Sequence, residues 1–229
     1  MAGSHEVRGS IPLCSTNYFK ARQTAGLFRV PRRFAGAPAR QYGGVAVRQR
    51  TCAAGLVGRK GSRMTRMKVA VSACLLGVPC RFDGRSKPSA AVQDFIERYS
   101  CQVVRICPEV MGGLSIPHPP HEQKLVGGQV RVVDSQGNDH TDMFLEGSRK
   151  ACQTACAAGC THAILKAKSP SCGVGEVYDG TFTDALVAGN GTAAQMMLDA
   201  GMKLATEKDI ERTMRYANTS SSSAEAFFR

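Results

Sequence analysis

The stretch Val69-Ala70-Val71-Ser72-Ala73-Cys74-Leu75-Leu76-Gly77-Val78-Pro79-Cys80-Arg81-Phe82-Asp83-Gly84 is a short apolar run that ends in a cysteine. It then breaks into a Gly/Pro loop carrying a second cysteine. The run is too short and too apolar for a surface helix, and it reads as a strand buried in a parallel sheet. Gly77, Pro79 and Asp83-Gly84 mark the segment after it as loop. In open parallel sheets, ligands bind beyond the carboxyl ends of the strands. Cys74 stands at that point, and it is the first member of a candidate site.

The pattern recurs twice. Residues 102–106 form a second apolar strand that runs into Cys107-Pro108-Glu109. Residues 161–165 form a third, leading into Lys166-Ala167-Lys168-Ser169-Pro170-Ser171-Cys172-Gly173. Between them, residues 89–99 have helical spacing with Ser89 as N-cap. The Gly- and Pro-rich region from Cys107 to Gly128 is expected to hold no regular structure. Residues 129–133 read as a short strand followed by a turn, and Thr141 is expected to cap a helix over 142–158 that Gly159 stops. Residues 174–183 are Gly-broken and irregular. A helix over 191–200, opened by Asn190 and closed by Gly201, precedes a last strand at 203–205. Thr206 then caps a terminal helix. Alternating strands and helices imply a three-layer α/β/α Rossmann-like sandwich on a mainly parallel sheet. This domain is expected to span 67–216, with 217–229 as a flexible Ser-rich tail.

The net charge of +12 is unevenly distributed. Residues 1–66 hold 13 Lys/Arg and one acid, Glu6, whereas residues 67–229 hold 17 of each sign. The body is neutral, so the basic whole-chain balance says nothing about its partners. The first 66 residues lack periodicity and cannot bury enough apolar surface to offset their ordering entropy, so this extension is expected to be disordered. An Arg-rich presequence and a basic nucleic-acid arm are two readings of it. The favoured reading is a mis-assigned start. Arg8-Gly9-Ser10-Ile11-Pro12 back-translates to a core that resembles the T-arm of a tRNA gene, with Cys14-Ser15-Thr16 reading as the acceptor end, and on this reading the true start is Met64 or Met67. No stretch has the uninterrupted apolar length of a membrane helix, and the N-terminus lacks the apolar core of an export signal. A cytoplasmic protein with reduced cysteines is therefore expected.

Three thiols entering Gly/Pro loops from neighbouring strands would meet at one edge of the sheet. Such a soft set suits iron–sulfur or zinc and leaves a fourth position open. Cys80 can complete a four-thiolate set, act as a redox partner of Cys74, or line the pocket. Cys101, Cys152, Cys156 and Cys160 read as core packing. Glu109 would sit at the rim as a general base. Ser169 and Ser171 can hydrogen-bond a substrate, and Lys166 and Lys168 can hold an anion. Gly189-Asn190-Gly191-Thr192 reads as a helix-entry turn, and His118, His121 and His162 form no metal box.

Ser72-Ala73-Cys74-Leu75-Leu76-Gly77, Cys80-Arg81-Phe82-Asp83-Gly84, Cys107-Pro108-Glu109-Val110-Met111-Gly112-Gly113-Leu114, Ile164-Leu165-Lys166, Ser169-Pro170-Ser171-Cys172-Gly173 and Tyr178-Asp179-Gly180-Thr181-Phe182 together resemble the TudS-type thiouracil desulfidase family. The resemblance runs over residues 67–211 with the motifs in order. It implies a [4Fe-4S] cluster held by Cys74, Cys107 and Cys172 with the fourth iron open. It further implies Glu109 and Ser169 as catalytic residues, and removal of sulfur from thiouracil-type bases to give uracil and hydrogen sulfide without net redox change. His118 departs from the family, which often carries Arg there. Related domains act on thiolated tRNA, but the neutral body favours a free thiopyrimidine over a polynucleotide. Two other classes compete: a non-catalytic binding module stabilised by a metal or cluster, and a thiol redox protein using Cys74 and Cys80.

Overall fold

The computed structural model describes residues 66–217 and 223–228. The expectations for the basic segment fall, Arg66 apart, outside these residues. The central sheet is built from β1 (Lys68–Ser72), β2 (Gln102–Ile106), β5 (His162–Leu165) and β8 (Lys203–Thr206), in the order β2-β1-β5-β8. All neighbouring pairs are parallel. Residues along β1 alternate between two cores, as the pleat requires. Val69 and Val71 face one layer with Val92 and Phe95 of α1 (Ala90–Arg98) and Ile210 of α5 (Glu207–Ala217). Ala70 faces the other, with Ala151 and Ala155 of α3 (Thr141–Ala157) and Ala194 and Met197 of α4 (Thr192–Asp199). The chain is thus a three-layer α/β/α sandwich on a parallel sheet. Cys101 packs in the first core layer and Cys152, Cys156 and Cys160 pack in the second.

The helix ends show which polar residues set them. Ser89 caps α1 by accepting from the Val92 N–H at 3.4 Å. Thr206 accepts from the Asp209 N–H while the Asp209 carboxylate accepts from the Thr206 N–H, a reciprocal cap on α5. Thr141 does not cap α3 but begins it. Its hydroxyl instead accepts from the Val132 N–H, and Asp139 accepts from the Thr141 N–H. Gly191 rather than Asn190 stands at the N-cap of α4.

Three regions differ from expectation. Residues 107–128 contain α2 (Pro108–Met111) and β3 (His121–Val126), the latter paired antiparallel with β4 (Gln129–Asp134). The irregular stretch at 174–183 contains β6 (Glu176–Tyr178), paired with β7 (Leu186–Ala188). Within the expected tail, residues 223–228 are described and lie against the core. Ala224–Phe227 form a turn of 3-10 helix, and the Phe227 ring is buried 5.1 Å from Phe95 and 5.6 Å from Tyr99. Composition marked that tail as polar, but two aromatic rings at its end suffice to anchor it.

One contact decides where the turn after β2 can sit. The backbone of α2 lies directly on α3, and a Cβ on Gly147 would stand 1.9 Å from the Pro108 carbonyl oxygen. A Cβ on Gly112 would stand 2.2 Å from that of Met143. Both atoms are backbone, so neither can move aside cheaply. Gly147→Ala is expected to lift α2 from α3 and destabilise the domain by about 2–3 kcal/mol, as overpacking against a rigid neighbour does. Urea unfolding at matched m-value measures this.

Candidate functional site

Because β1, β2 and β5 are parallel and adjacent, their carboxyl ends open on one edge. Cys74 follows β1 inside a turn of 3-10 helix, Ala73–Leu76, closed by Gly77 in a left-handed conformation (φ 89°). The loop then doubles back, with the Lys87 N–H donating to the Cys74 carbonyl at 3.0 Å. This return brings the buried Cys80 between Cys74 and Cys107. The Cys107 Sγ lies 3.6 Å from the Cys80 carbonyl oxygen. Cys172 comes from the loop after β5 and is buried beside Ser171, whose Oγ is 3.7 Å from its Sγ.

The four thiols are not equivalent. Hydrogen bonding with Cys80 is the main cause holding Cys74 and Cys107 below the ordinary thiol range, and Cys80, facing both sulfurs with one proton to share, is driven far above it. Cys172 is pushed up to about 12, chiefly by burial, with the Ser72 hydroxyl opposing the shift. Two thiols therefore part with a proton more readily than an ordinary thiol. The third sits in a low-dielectric pocket where a bound cation would favour losing its proton.

Glu109 occupies the first turn of α2, with its carboxylate facing the loop that carries Cys172. Ser171 Oγ donates to Glu109 Oε1 at 2.8 Å, and Ser169 Oγ approaches the same oxygen at 3.4 Å. Ser169 also accepts from the backbone N–H groups of Ser171 and Cys172, both at 3.2 Å. The two serine oxygens lie 3.0 Å apart. Ser169 is thus the residue that makes the turn, and Ser171 is the shorter partner of Glu109. His118 Nε2 lies 3.4 Å from the other carboxylate oxygen. In the sequence that side chain stands out only as a departure from the family pattern.

The same loop is braced from outside the site. The Lys166 N–H donates to Ser72 Oγ at 3.0 Å, tying the exit of β5 to the end of β1. Lys166 Nζ is ion-paired with Glu207 and donates to the Ala167 carbonyl at 3.1 Å, while Glu207 Oε2 accepts from the Ala167 N–H at 2.7 Å. Lys166 is therefore engaged with Glu207, and Lys168 Nζ lies 5.8 Å over the Tyr178 ring. Gln123, which the sequence offered no reason to select, donates its side-chain amide to the carbonyls of Pro170 at 2.8 Å and Asn190 at 3.0 Å. His162 begins β5, at the opposite end of the sheet from the thiols, and pairs with Thr161.

The site is that of a parallel α/β domain presenting three strand-end cysteines and a carboxylate at one edge. The 2-thiouracil desulfurase family model matches residues 69–209, which contain every one of these side chains. The chain belongs to that family. It is 32% identical over 148 residues to the uncharacterized protein YbbK of Bacillus subtilis (strain 168), a match covering 62% of this chain and 97% of that one. A solved structure titled as the [4Fe-4S]-dependent thiouracil desulfidase TudS is 35% identical, with a TM-score of 0.57 and coverage of 67% of this chain and 99% of that one. No helix among the described residues is long and apolar enough to cross a membrane.

Glu207→Ala would leave the Lys166 ammonium without its carboxylate and the Ala167 N–H without its acceptor. A loss of about 2–4 kcal/mol is expected, short of a fully buried pair because Lys166 retains some solvent contact. Denaturant unfolding of the variant beside the parent chain checks it.

Proposed function

We propose that the chain is an iron–sulfur-dependent desulfidase that converts thiouracil-type thiopyrimidines to the corresponding uracil with release of hydrogen sulfide. The observation that carries this reading is the meeting of Cys74, Cys107 and Cys172 at one sheet edge beside a carboxylate held by Ser171. The donor set fits a [4Fe-4S] cluster: three soft ligands, two already inclined to the thiolate and one buried where a cation would draw off its proton. Among the described residues no three such side chains close on a point suited to a single metal ion. A cubane does not ask them to, since each of its thiolates binds a different iron. The family membership and the likeness to TudS support the same cofactor.

Bound by three cysteines, the cluster would supply one open iron, a thiophilic Lewis acid that makes a thiocarbonyl carbon electrophilic. The remaining work falls to this chain's own side chains. Glu109 is the general base, taking a proton from the water that attacks the thiocarbonyl carbon. Its carboxylate is aimed by Ser171 on one oxygen and His118 on the other, so the base needs little reorganisation when the water arrives. Ser169 fixes the turn that carries both Ser171 and Cys172, and its hydroxyl is close enough to Glu109 to orient the ring. The reaction is a hydrolysis: water gives its oxygen to the ring carbon, and sulfur departs with two protons as hydrogen sulfide. No electron is gained or lost.

A free base is the favoured substrate, with thiolated tRNA the lesser one. Residues 67–229 carry equal numbers of basic and acidic side chains, and affinity for a polynucleotide rests on excess positive charge. The sensitivity of such a cluster to oxygen fits a reducing, cytoplasmic setting. Cys80 contacts two of the cysteines proposed as ligands and serves here as a pocket residue beside them.

Anaerobically purified chain is expected to be brown and to hold about four irons and four acid-labile sulfides. Cys172→Ala should reduce both to near zero. Glu109→Gln should retain them while slowing sulfide release from thiouracil by about 10²–10⁴-fold, the range of a lost general base. A colourless protein that binds only zinc would overturn the proposal. So would a loaded site whose spectrum is indifferent to substrate and sulfide, the signature of a closed four-thiolate module.

A further inference from the structure

Both nitrogens of the His118 ring are engaged. Nδ1 lies 2.8 Å from the Pro119 carbonyl oxygen, which can only accept, so Nδ1 carries a proton. Nε2 faces Glu109 Oε2 at 3.4 Å. In the neutral ring, a proton on Nδ1 leaves a lone pair on Nε2, and two lone pairs would then confront each other. With Glu109 ionised, as a general base must be, only the imidazolium form satisfies both contacts. The side chain is 5% exposed and that of Glu109 15%, so water does little to relieve the mismatch.

We infer that His118 is a positioning residue for Glu109 and that it acts only as the imidazolium, clamping the carboxylate oxygen that the serines leave free. The inference rests on the proposed role of Glu109 as base and adds a protonation requirement to it. The titratable groups around His118 are few. Glu109 on α2 favours the charged ring and is the main cause that raises its proton affinity above the ordinary histidine value, with the Cys107 sulfur at the head of α2 adding to this only when it is ionised. From β3, His121 stacks on His118 with ring centroids 5.1 Å apart. His121 is buried, neither of its ring nitrogens has a hydrogen-bond partner, and burial with the neighbouring His140 and His118 lowers it to about 4. It stays neutral and does not compete for the charge. His140 is turned to Asp134 instead, with Nε2 at 3.2 Å from Oδ2.

A histidine whose proton affinity rises on folding holds its charged contact below the ordinary histidine range, and loses it as pH climbs through the raised value. Turnover should therefore fall on the alkaline side as the clamp becomes neutral. His118→Arg puts a permanent cation at the same position. His118→Gln keeps a hydrogen-bonding side chain with no charge.

The test uses the full-length chain carrying its cluster. In thiouracil turnover between about pH 6 and 9, the parent should show an alkaline fall in kcat. His118→Arg should stay within about threefold of the parent at low pH and lack the fall. His118→Gln should be about tenfold slower at low pH and also lack it. In parallel, ¹⁵N-histidine NMR titration should find His118 doubly protonated above the ordinary histidine pKa in the parent. That elevation should vanish in Glu109→Gln. A His118 ring already neutral near pH 6, a titration unchanged by Glu109→Gln, or a His118→Gln enzyme with parental rate and pH profile would each overturn the inference. The NMR titration needs no turnover, so a parent chain inactive on thiouracil would sink the functional reading while the His118–Glu109 pairing is still decided. It also needs no His118 variant to fold.

Discussion

The register of three parallel strands is the constraint on which the site depends. Ser72 lies opposite Ile106, and Val71 opposite Ile164, so β1, β2 and β5 finish at one level. Cys107 is the first residue beyond its strand and Cys74 the second beyond its own, so both thiols emerge within a turn of each other. The Ser72 hydroxyl then takes the Lys166 N–H and fixes the point from which the third segment departs. A slip of one residue in any of these pairings would send the following cysteine to the opposite face of the sheet. Alanines on the α3 and α4 side and larger residues on the α1 and α5 side bury the strands on both faces, which specifies that register.

The fold solves a second problem, that of holding a carboxylate among nascent thiolates. Like charges at such a site repel, and Lys166, whose ammonium helps to lower Cys74, is engaged with Glu207. Its role is to anchor the loop. What holds Glu109 is instead a set of directed hydrogen bonds from Ser171, Ser169 and His118. Such bonds fix orientation more firmly than a diffuse positive field would. The α2 backbone contributes as well, since its close seat on Gly147 leaves the Glu109 main chain little freedom.

Much of this was legible in the sequence because the parts obey local rules. Buried parallel strands are short apolar runs, and each of the three that matter is followed by a cysteine and a chain-breaking residue. The caps at Ser89 and Thr206 were legible for the same reason. The hairpin of β3 and β4 was not. The first half of β3 is buried but polar, His121, Glu122 and Gln123, and its second half is exposed, so the strand carries no alternating apolar signal. Two of those three buried polar groups have partners remote in sequence: Glu122 accepts from the Gly180 and Phe182 N–H groups, and Gln123 donates to Pro170 and Asn190. Hydrogen bonding across the fold, rather than hydrophobic burial, makes that strand, and no window of sequence displays such partners. The tail beyond residue 222 escaped for a related reason: its serines outvoted Phe227 and Phe228, whose contacts with Phe95, Tyr99 and His162 exist only after folding.

That hairpin alters how the site itself is understood. The turn 169–172 delivers both the serine that holds Glu109 and the cysteine that completes the thiol set, so any movement of the turn displaces base and ligand together. Gln123 grips the turn at Pro170, and Gly191 presses against it so closely that a Cβ would meet the Ser171 carbonyl carbon at 2.4 Å. Ser169, meanwhile, spends its acceptor capacity on the Ser171 and Cys172 N–H groups, which leaves Ser171 the closer partner of the carboxylate. The two serines that the sequence offers as equivalent hydrogen-bonding groups therefore divide their work. Ser169 chiefly shapes the loop and Ser171 holds the base more closely, and the polar β3 strand braces the four consecutive residues that do both.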